Sequence, residues 1–303
     1  MTAVVLAEGL KKEYPGHKAV DGIDFEIRQG ECFGILGPNG AGKSTTLRMV
    51  IGLTDLDGGS LELFGQPMYP EHPTLAKKIG VVPQEDNLDP DLSVGENLLV
   101  YGRYFGLADR EVKAKMDELL LFAQLEDRKD AMVRELSGGM MRRLMIARSL
   151  VASPDLIVLD EPTTGLDPQA RHLIWQRLRA LREKGVTLLL TTHYMEEAAQ
   201  LCDRLLILNR GQILDQGSPT ALISRHVEPE VVEVRGDGEL EILQESSHLP
   251  GRVERVGDTT FFYSNDAHVI LDFFRDRHDL TCLLRPANLE DVFLKLTGRE
   301  LKD

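Results

Sequence analysis

Short apolar runs alternate with longer stretches of helical periodicity over residues 1–220. Ile23, Phe25 and Ile27 alternate with Asp24, Glu26 and Arg28, the period-two pattern of a strand with one solvated face. Cys32–Leu36, Leu156–Leu159 and Val186–Leu190 are continuous apolar runs, as parallel strands covered on both faces read. Residues 93–152 are helical in pattern, and no strand signal interrupts them. Ser93 and Glu96 have the spacing of a capping box, which opens one helix. Val112, Met116, Leu119, Leu120 and Ala123 share one face of a second, within Glu111–Leu125. This order predicts an α/β core with an inserted helical subdomain at about residues 86–153.

The pattern breaks near His226–Glu230, at Pro229. Strands are expected beyond it around Val231–Val234, Arg252–Val256, Thr259–Tyr263 and Leu280–Leu284. Helices are expected over Ala267–Arg277 and Leu289–Leu296. Residues 221–303 carry 10 basic and 17 acidic side chains, against 25 and 32 in the first 220, so the tail is the more acidic per residue. Two units are predicted: a nucleotide-binding domain at 1–225 and a small α+β appendage at 226–303, about 75 residues being enough to fold separately.

Composition narrows the class. The chain has 303 residues, 42% hydrophobic and 28% charged, which reads as soluble and globular. A formal charge of −14 argues against a nucleic-acid backbone as partner of the whole chain. No run of 18 apolar residues occurs, so the chain is not expected to span a membrane. Its start, MTAVVLAEGLKKEYPG, has no basic opening and turns polar too soon for a signal peptide. Cys32, Cys202 and Cys282 are odd in number and form no C-x-x-C pair. Reduced thiols in a cytosolic protein, and no zinc site, are expected.

Three segments carry chemistry. Gly37-Pro38-Asn39-Gly40-Ala41-Gly42-Lys43-Ser44, followed by Thr45, fits G-x-x-x-x-G-K-[ST]. It follows the apolar run Cys32–Leu36 and precedes a helical pattern over Ser44–Ile51, the context that the motif requires. Its glycines let the backbone curl so that successive N–H groups face phosphate oxygens, and the helix N-terminus adds a positive dipole end. Lys43 would reach the β- and γ-phosphates of ATP, and Ser44 would ligate Mg²⁺. The strand Leu156–Leu159 ends in Asp160-Glu161-Pro162. Side chains alternate along a strand, so Asp160 can face Mg²⁺ while Glu161 polarises an attacking water. Leu136-Ser137-Gly138-Gly139-Met140 opens a helical run over Met141–Val151, with Ser137 as N-cap candidate. It is a second anion cradle in one chain. One nucleotide needs only one cradle, so this one is expected to serve a nucleotide bound to another copy.

The segment LSGGM lies 94 residues after Lys43 and 23 before Asp160, and it resembles the signature of ABC-type ATPases. The remaining family elements follow in order. Tyr14 matches the aromatic that stacks on adenine. Gln84 matches the glutamine that senses Mg²⁺ and the γ-phosphate, Asp167 in Gly165-Leu166-Asp167 matches the D-loop, and His193 matches the switch histidine. The resemblance covers residues 1–220. It implies an α/β P-loop NTPase core of the ABC type, with Glu161, His193 and Lys43 catalytic and Ser44, Gln84 and Asp160 at the metal. It also implies a homodimer in which Ser137, Gly138 and Gly139 of one copy face the phosphate loop of the other. Met140 departs from the family, which often has glutamine there. The phosphate contact comes mainly from the serine and glycines, and Glu161 is intact, so turnover is expected.

Three stretches narrow the branch: GVVPQEDNLDPDLSVGENLLVYGRYFGL, EPTTGLDPQARHLIWQRLRAL and TTHYMEEAAQLCDRLLIL. They are similar to the nodulation-factor (lipo-oligosaccharide) export ATPases and to drug-resistance ATPases of the daunorubicin type. The tail from Asn288 to Gly298 matches the extension common in that branch. The resemblance implies an export ATPase on the inner face of the cell membrane, docked to an integral-membrane ABC-2 permease. Its cargo would be a lipo-oligosaccharide, a polysaccharide or a drug. The family also implies a groove for a cytosolic helix of that permease within Asp86–Leu107. About half of Leu88, Leu92, Leu98, Leu99, Tyr104 and Phe105 are expected to be exposed there. The alternative is a non-transport ABC protein acting on nucleic acid or ribosomes. The short interval between Lys43 and Ser137 leaves no room for a long coiled coil, and the −14 charge argues against it as well.

Overall fold

The computed structural model describes residues 3–69, 72, 74–236, 249–277 and 279–298. Met1 and Thr2, the start of the stretch read above against a signal peptide, lie outside the described residues. The chain divides into two compact units, Met1–Gln216 and Gly217–Asp303.

The first unit opens with a hairpin. Strands β1 (Ala3–Tyr14) and β2 (His17–Arg28) pair antiparallel, with Tyr14 opposite His17 across the turn. Strand β4 (Gly58–Leu63) pairs with the other edge of β1, and β5 (Gln66–Pro67) closes a four-stranded sheet in the order β2-β1-β4-β5. Ile23, Phe25 and Ile27 of β2 point into the core while Asp24 stays in solvent, as the alternation requires.

The second sheet contains β3 (Cys32–Leu36), β6 (Ile79–Val82), β7 (Leu156–Asp160), β8 (Thr187–Thr192), β9 (Arg204–Asn209) and β10 (Gln212–Gly217). Their order is β10-β9-β3-β8-β7-β6. Strand β3 runs parallel to β8 and β9, and β7 parallel to β6 and β8. Every residue of β3 and β8 is buried, so their sequences had no solvated face to encode. Phe33, Ile35, Val158 and Leu189 of this sheet share one core with Val5, Leu10 and Phe25 of the first. Parallel pairing brings the carboxyl ends of β3, β6, β7 and β8 to one edge, where open α/β sheets bind ligands.

Helix α1 (Lys43–Val50) follows β3. The helical subdomain contains α2 (Val94–Tyr104), α3 (Asp109–Ala123) and α4 (Gly138–Ser149). Ser93 and Glu96 close the expected capping box. The subdomain has its own core, built on Val94, Leu98, Val112, Met116, Leu120 and Leu144. That core corrects the expected exposure of Asp86–Leu107. Leu98 is fully buried, Leu88 and Leu99 pack against the same cluster, and of the six only Tyr104 is exposed. A body of three helices has little apolar area to spare and uses these side chains internally. Helices α5 (Pro168–Glu183) and α6 (Met195–Leu201) complete the unit.

In the second unit, α7 (Pro219–His226) precedes β11 (Glu230–Gly236), β12 (Arg252–Val256), β13 (Thr259–Ser264), α8 (Ala267–Phe274), β14 (Leu280–Pro286) and α9 (Leu289–Thr297). The strands pair antiparallel in the order β12-β13-β11-β14. The division falls nine residues ahead of the boundary expected at 225/226. Helix α7 packs against α9, and Lys295 Nζ donates to the His226 carbonyl at 2.5 Å, which places α7 with the tail. Ile270 and Phe274 of α8 cover Val232, Val234 and Phe262. Asp291, 2% exposed, pins α9 to the sheet. It accepts from Tyr263 Oη at 3.0 Å and from both arms of Arg285 at 2.7 and 2.9 Å. Burial alone would raise the Asp291 carboxyl, but the Arg285 fork and the Asn288 N–H hold it below its ordinary range. Burial, together with the Asp291 charge, pushes the Tyr263 phenol up to about 12.

Candidate nucleotide-binding site

The loop from Gly37 to Ser44 bridges the end of β3 and the start of α1. Two of its glycines are there for want of space. A Cβ at Gly37 would lie 2.3 Å from the Leu208 carbonyl oxygen, and one at Gly42 would lie 2.2 Å from that of Ala19. Gly42 also has φ +107°, which side-chain-bearing residues rarely adopt. The loop is thus pressed against the backbone of Leu208 and Ala19, and it borders a cleft of about 360 Å³. Tyr14, His17, Asn39–Thr45, Gln84 and Glu161 line this cleft. Tyr14 is 38% exposed, with the Lys12 ammonium 5.7 Å from its ring centre.

Lys43 is folded into the loop. Its Nζ donates to the Gly37 and Pro38 carbonyls at 2.9 and 3.2 Å and lies 3.2 Å from Glu161 Oε1. Glu161 is a hub. Its Oε2 accepts from Gln84 Nε2 at 3.3 Å and Thr164 Oγ1 at 3.2 Å, and His193 Nδ1 lies 3.2 Å away. Burial pushes this carboxyl up, but the Lys43 charge and His193 outweigh burial and keep it below its ordinary range. It is therefore ionised at neutral pH. Glu161 also has φ +45°, a left-handed conformation that costs a residue with a side chain about 1–3 kcal/mol. Its N–H is fixed by Thr191, through the carbonyl at 3.2 Å and the hydroxyl at 3.1 Å.

The predicted metal ligands meet only in part. Ser44 Oγ lies 3.3 Å from Asp160 Oδ1, and Asp160 also accepts from the Thr191 hydroxyl. Gln84 turns its amide nitrogen to Glu161 and joins the site from that side. Two hard oxygens converging beside a phosphate cradle suit Mg²⁺, which takes few protein ligands and completes its shell with phosphate and water. Among the described residues no cluster of three or more His, Cys, Asp or Glu could hold a metal alone.

Ser137, Gly138, Gly139 and Asp167 lie elsewhere. They line a separate cleft of about 580 Å³ with Gln124, Arg143, Gly165 and Gln169, and no residue of this cleft lines the first. Ser137 caps α4 by accepting from Met140 N–H at 3.4 Å, and Asp167 caps α5 by accepting from Ala170 N–H at 2.9 Å. A third groove of about 300 Å³ runs beside α1, lined by Leu47, Arg48, Ile51, Leu53 and Val81–Glu85.

Several participants escaped the sequence reading. Arg142 on α4 is 5% exposed and gives its whole guanidinium to backbone around Glu161 and Gln84. Glu197 on α6, fully buried, accepts from Thr163 Oγ1 at 2.7 Å and Trp175 Nε1 at 3.1 Å, and its burial raises the carboxyl. Thr191 on β8, one residue past the apolar run Val186–Leu190, holds the Glu161 N–H and donates its hydroxyl to Asp160. No local signal singles out Arg142, which stands beside Arg143 in a helix that also carries Arg148.

The family model of the ABC transporter matches residues 20–164, and that of the nodulation factor export protein NodI, C-terminal domain, matches residues 240–298. Nod factor export ATP-binding protein I of Cupriavidus metallidurans is 52% identical over 304 aligned positions, covering 100% of both chains. Its counterpart from Ralstonia nicotianae is 52% identical, covering 100% of this chain and 96% of its own. Among solved structures, cbiO1 of Clostridium perfringens, part of the cbiONQ ABC transporter complex, aligns with a TM-score of 0.69 at 27% identity. It covers 82% of this chain and 97% of its own. A dimeric ATP-binding cassette in a post-hydrolysis state with ADP and phosphate aligns with a TM-score of 0.65 at 28% identity, covering 71% and 98%.

Proposed function

The chain belongs to the ABC transporter family of ATP-binding proteins, and from that we propose how its residues divide the work of an ATP-hydrolysing export subunit. Cassettes of this family dimerise and work with a membrane subunit. The observation that carries the proposal is the separation of the two clefts. The phosphate loop and Glu161 line one, and the Ser137 cradle lines the other. One chain holds two half-sites, which two copies complete head to tail around two ATP molecules.

In this reading the loop N–H groups and Lys43 hold the β- and γ-phosphates, and Tyr14 stacks on adenine. Ser44 and Asp160, with Gln84 approaching from the Glu161 side, would hold Mg²⁺, which neutralises phosphate charge. Glu161 orients the attacking water, and His193 links the γ-phosphate to closure. Lys43 must first leave Glu161, so nucleotide binding frees the carboxylate that later acts. Closure around ATP and reopening after hydrolysis shift a two-state population.

No helix among the described residues is long and apolar enough to cross a membrane, and we propose that another protein supplies the conduit. We assign that role to an ABC-2 permease in the cell membrane, with this subunit on the cytoplasmic face. The groove beside α1, rimmed by Leu53, Val81 and Pro83, is offered to a helix of that partner. The cargo proposed is a lipo-oligosaccharide, on the strength of the full-length relatives.

The test is co-purification. The tagged Glu161→Gln chain is expressed in its own host with ATP and Mg²⁺, and membranes are solubilised gently. A polytopic membrane protein at about one-to-one stoichiometry is expected. Recovery of ribosomes, DNA or no membrane protein would overturn the export reading.

A further inference from the structure

We propose that Arg142 is a positioning residue that ties the signature helix to the catalytic carboxylate of the same chain, and so couples the two nucleotide sites of the closed pair. The side chain leaves α4 one turn after Ser137. Its Nε donates to the Pro162 carbonyl at 2.7 Å. One terminal nitrogen donates to Pro83 at 2.5 Å and to Gln84 at 3.3 Å. The other donates to Asp160 at 2.9 Å and to Glu161 at 3.1 Å. Five backbone carbonyls therefore meet the five N–H groups that a guanidinium owns. No other side chain type offers that number of donors in one plane.

The carbonyls bonded are those of the two segments that must be aimed. Residues 160–162 include the left-handed turn at Glu161, and residues 83–84 carry the glutamine bonded to Glu161. A second arginine on the same helix repeats the tie further along. Arg148 donates to the Asn87 carbonyl at 2.9 Å and to its side-chain oxygen, and stacks on Tyr101 with 4.6 Å to the ring centre. Helix α4, the loop of residues 83–87 and the end of β7 are thus one hydrogen-bonded body. Ser137 and its glycines sit at the N-terminus of that helix. A phosphate engaging the Ser137 cradle moves or stills the helix, and Arg142 transmits this to Glu161, which serves the other nucleotide. The inference rests on the head-to-tail arrangement proposed above.

The experiment compares the full-length chain with Arg142→Lys, which keeps the charge and loses the fork. Three quantities are read: affinity for a fluorescent ATP analogue at a protein concentration where the chain is monomeric, kcat, and the Hill coefficient of turnover in ATP. The unaltered chain is expected to show a coefficient well above one. In the variant kcat falls at least about tenfold, the coefficient falls to about one, and single-chain affinity stays within about threefold. A purely structural role would lower affinity and turnover together. Unchanged kcat and cooperativity in a folded variant would overturn the inference and leave the head-to-tail reading standing. A coefficient of one in the unaltered chain would overturn both. Should Arg142→Lys not fold, hydrogen exchange on the unaltered chain decides. Amides of 138–145, 84–87, 161, 163 and 164 gain protection together on adding ATP and Mg²⁺. Protection of the phosphate loop alone would refute the coupling.

Discussion

Replacing Glu161 by glutamine removes one charge from a pair that is almost closed to solvent, Lys43 being 5% and Glu161 7% exposed. At the observed 3.2 Å the attraction between unit charges is about 5 kcal/mol for an effective dielectric near 20. Most of that offsets the desolvation of the two groups. The glutamine amide keeps only an ion–dipole hydrogen bond to the ammonium, about 1.5–3 kcal/mol, so Lys43 is held less firmly and passes more easily to a γ-phosphate. We expect ATP to bind the variant about tenfold more tightly, a gain of about 1.4 kcal/mol. Turnover moves the other way, because loss of a water-orienting base costs about 10²–10⁴ in rate, or roughly 3–5 kcal/mol of barrier. ATP-induced dimers should persist. The assay is phosphate release under saturating ATP and Mg²⁺, with fluorescent-ATP titration and sedimentation on the same preparation. Turnover within about threefold of the unaltered chain would refute the assignment of Glu161. Unchanged or weaker ATP binding would refute the claim that Glu161 restrains Lys43.

Other perturbations test the frame around that pair. Gly37→Ala drives a Cβ to within 2.3 Å of the Leu208 carbonyl. We expect a loss of about 1–3 kcal/mol of stability and no detectable ATP binding by calorimetry. Trp175→Phe removes one donor from the buried Glu197 carboxylate, at an expected cost of about 1–3 kcal/mol read by urea titration followed by circular dichroism. Asp291→Asn breaks the buried pair with Arg285, and the thermal midpoint of the second unit should fall by more than about 10 °C. The pH dependence of that pair has a definite sign. The folded Asp291 carboxyl lies below its ordinary 3.8, so its contribution is full at neutral pH. It is lost as pH falls from that value through the lower folded one. An acid titration of stability should show this step in the unaltered chain and not in the variant.

The candidate site was proposed from residues 37–44, 137–139 and 160–161, because each is a local segment whose backbone shape and chemistry are encoded together. A loop of glycines ending in lysine at a helix start makes a phosphate cradle wherever the strand before it lies. The apolar runs of β3, β7 and β8 announced buried parallel strands for the same reason, since a strand covered on both faces needs no polar alternation. The tail was legible as α+β from its own periodicity. The boundary was not, because whether α7 belongs to one unit or the other depends on its packing against α9, and no local signal states it.

Only the tertiary structure decided which of these segments meet. Strand order brings Ser44 to Asp160 and Gln84 to Glu161, and it keeps the Ser137 cradle in a cleft of its own. The interior decided the fate of Leu88, Leu98 and Leu99, which the helical subdomain took into its own small core. Arg142 could not be found from the chain, since its partners are carbonyls contributed by segments about 20 and 60 residues away. Backbone carbonyls are the same in every residue. What the sequence alone determined is therefore the set of chemical parts and the strands and helices that carry them. Their meeting in space, and the arginine that aims them, rest on long-range packing that local patterns do not record.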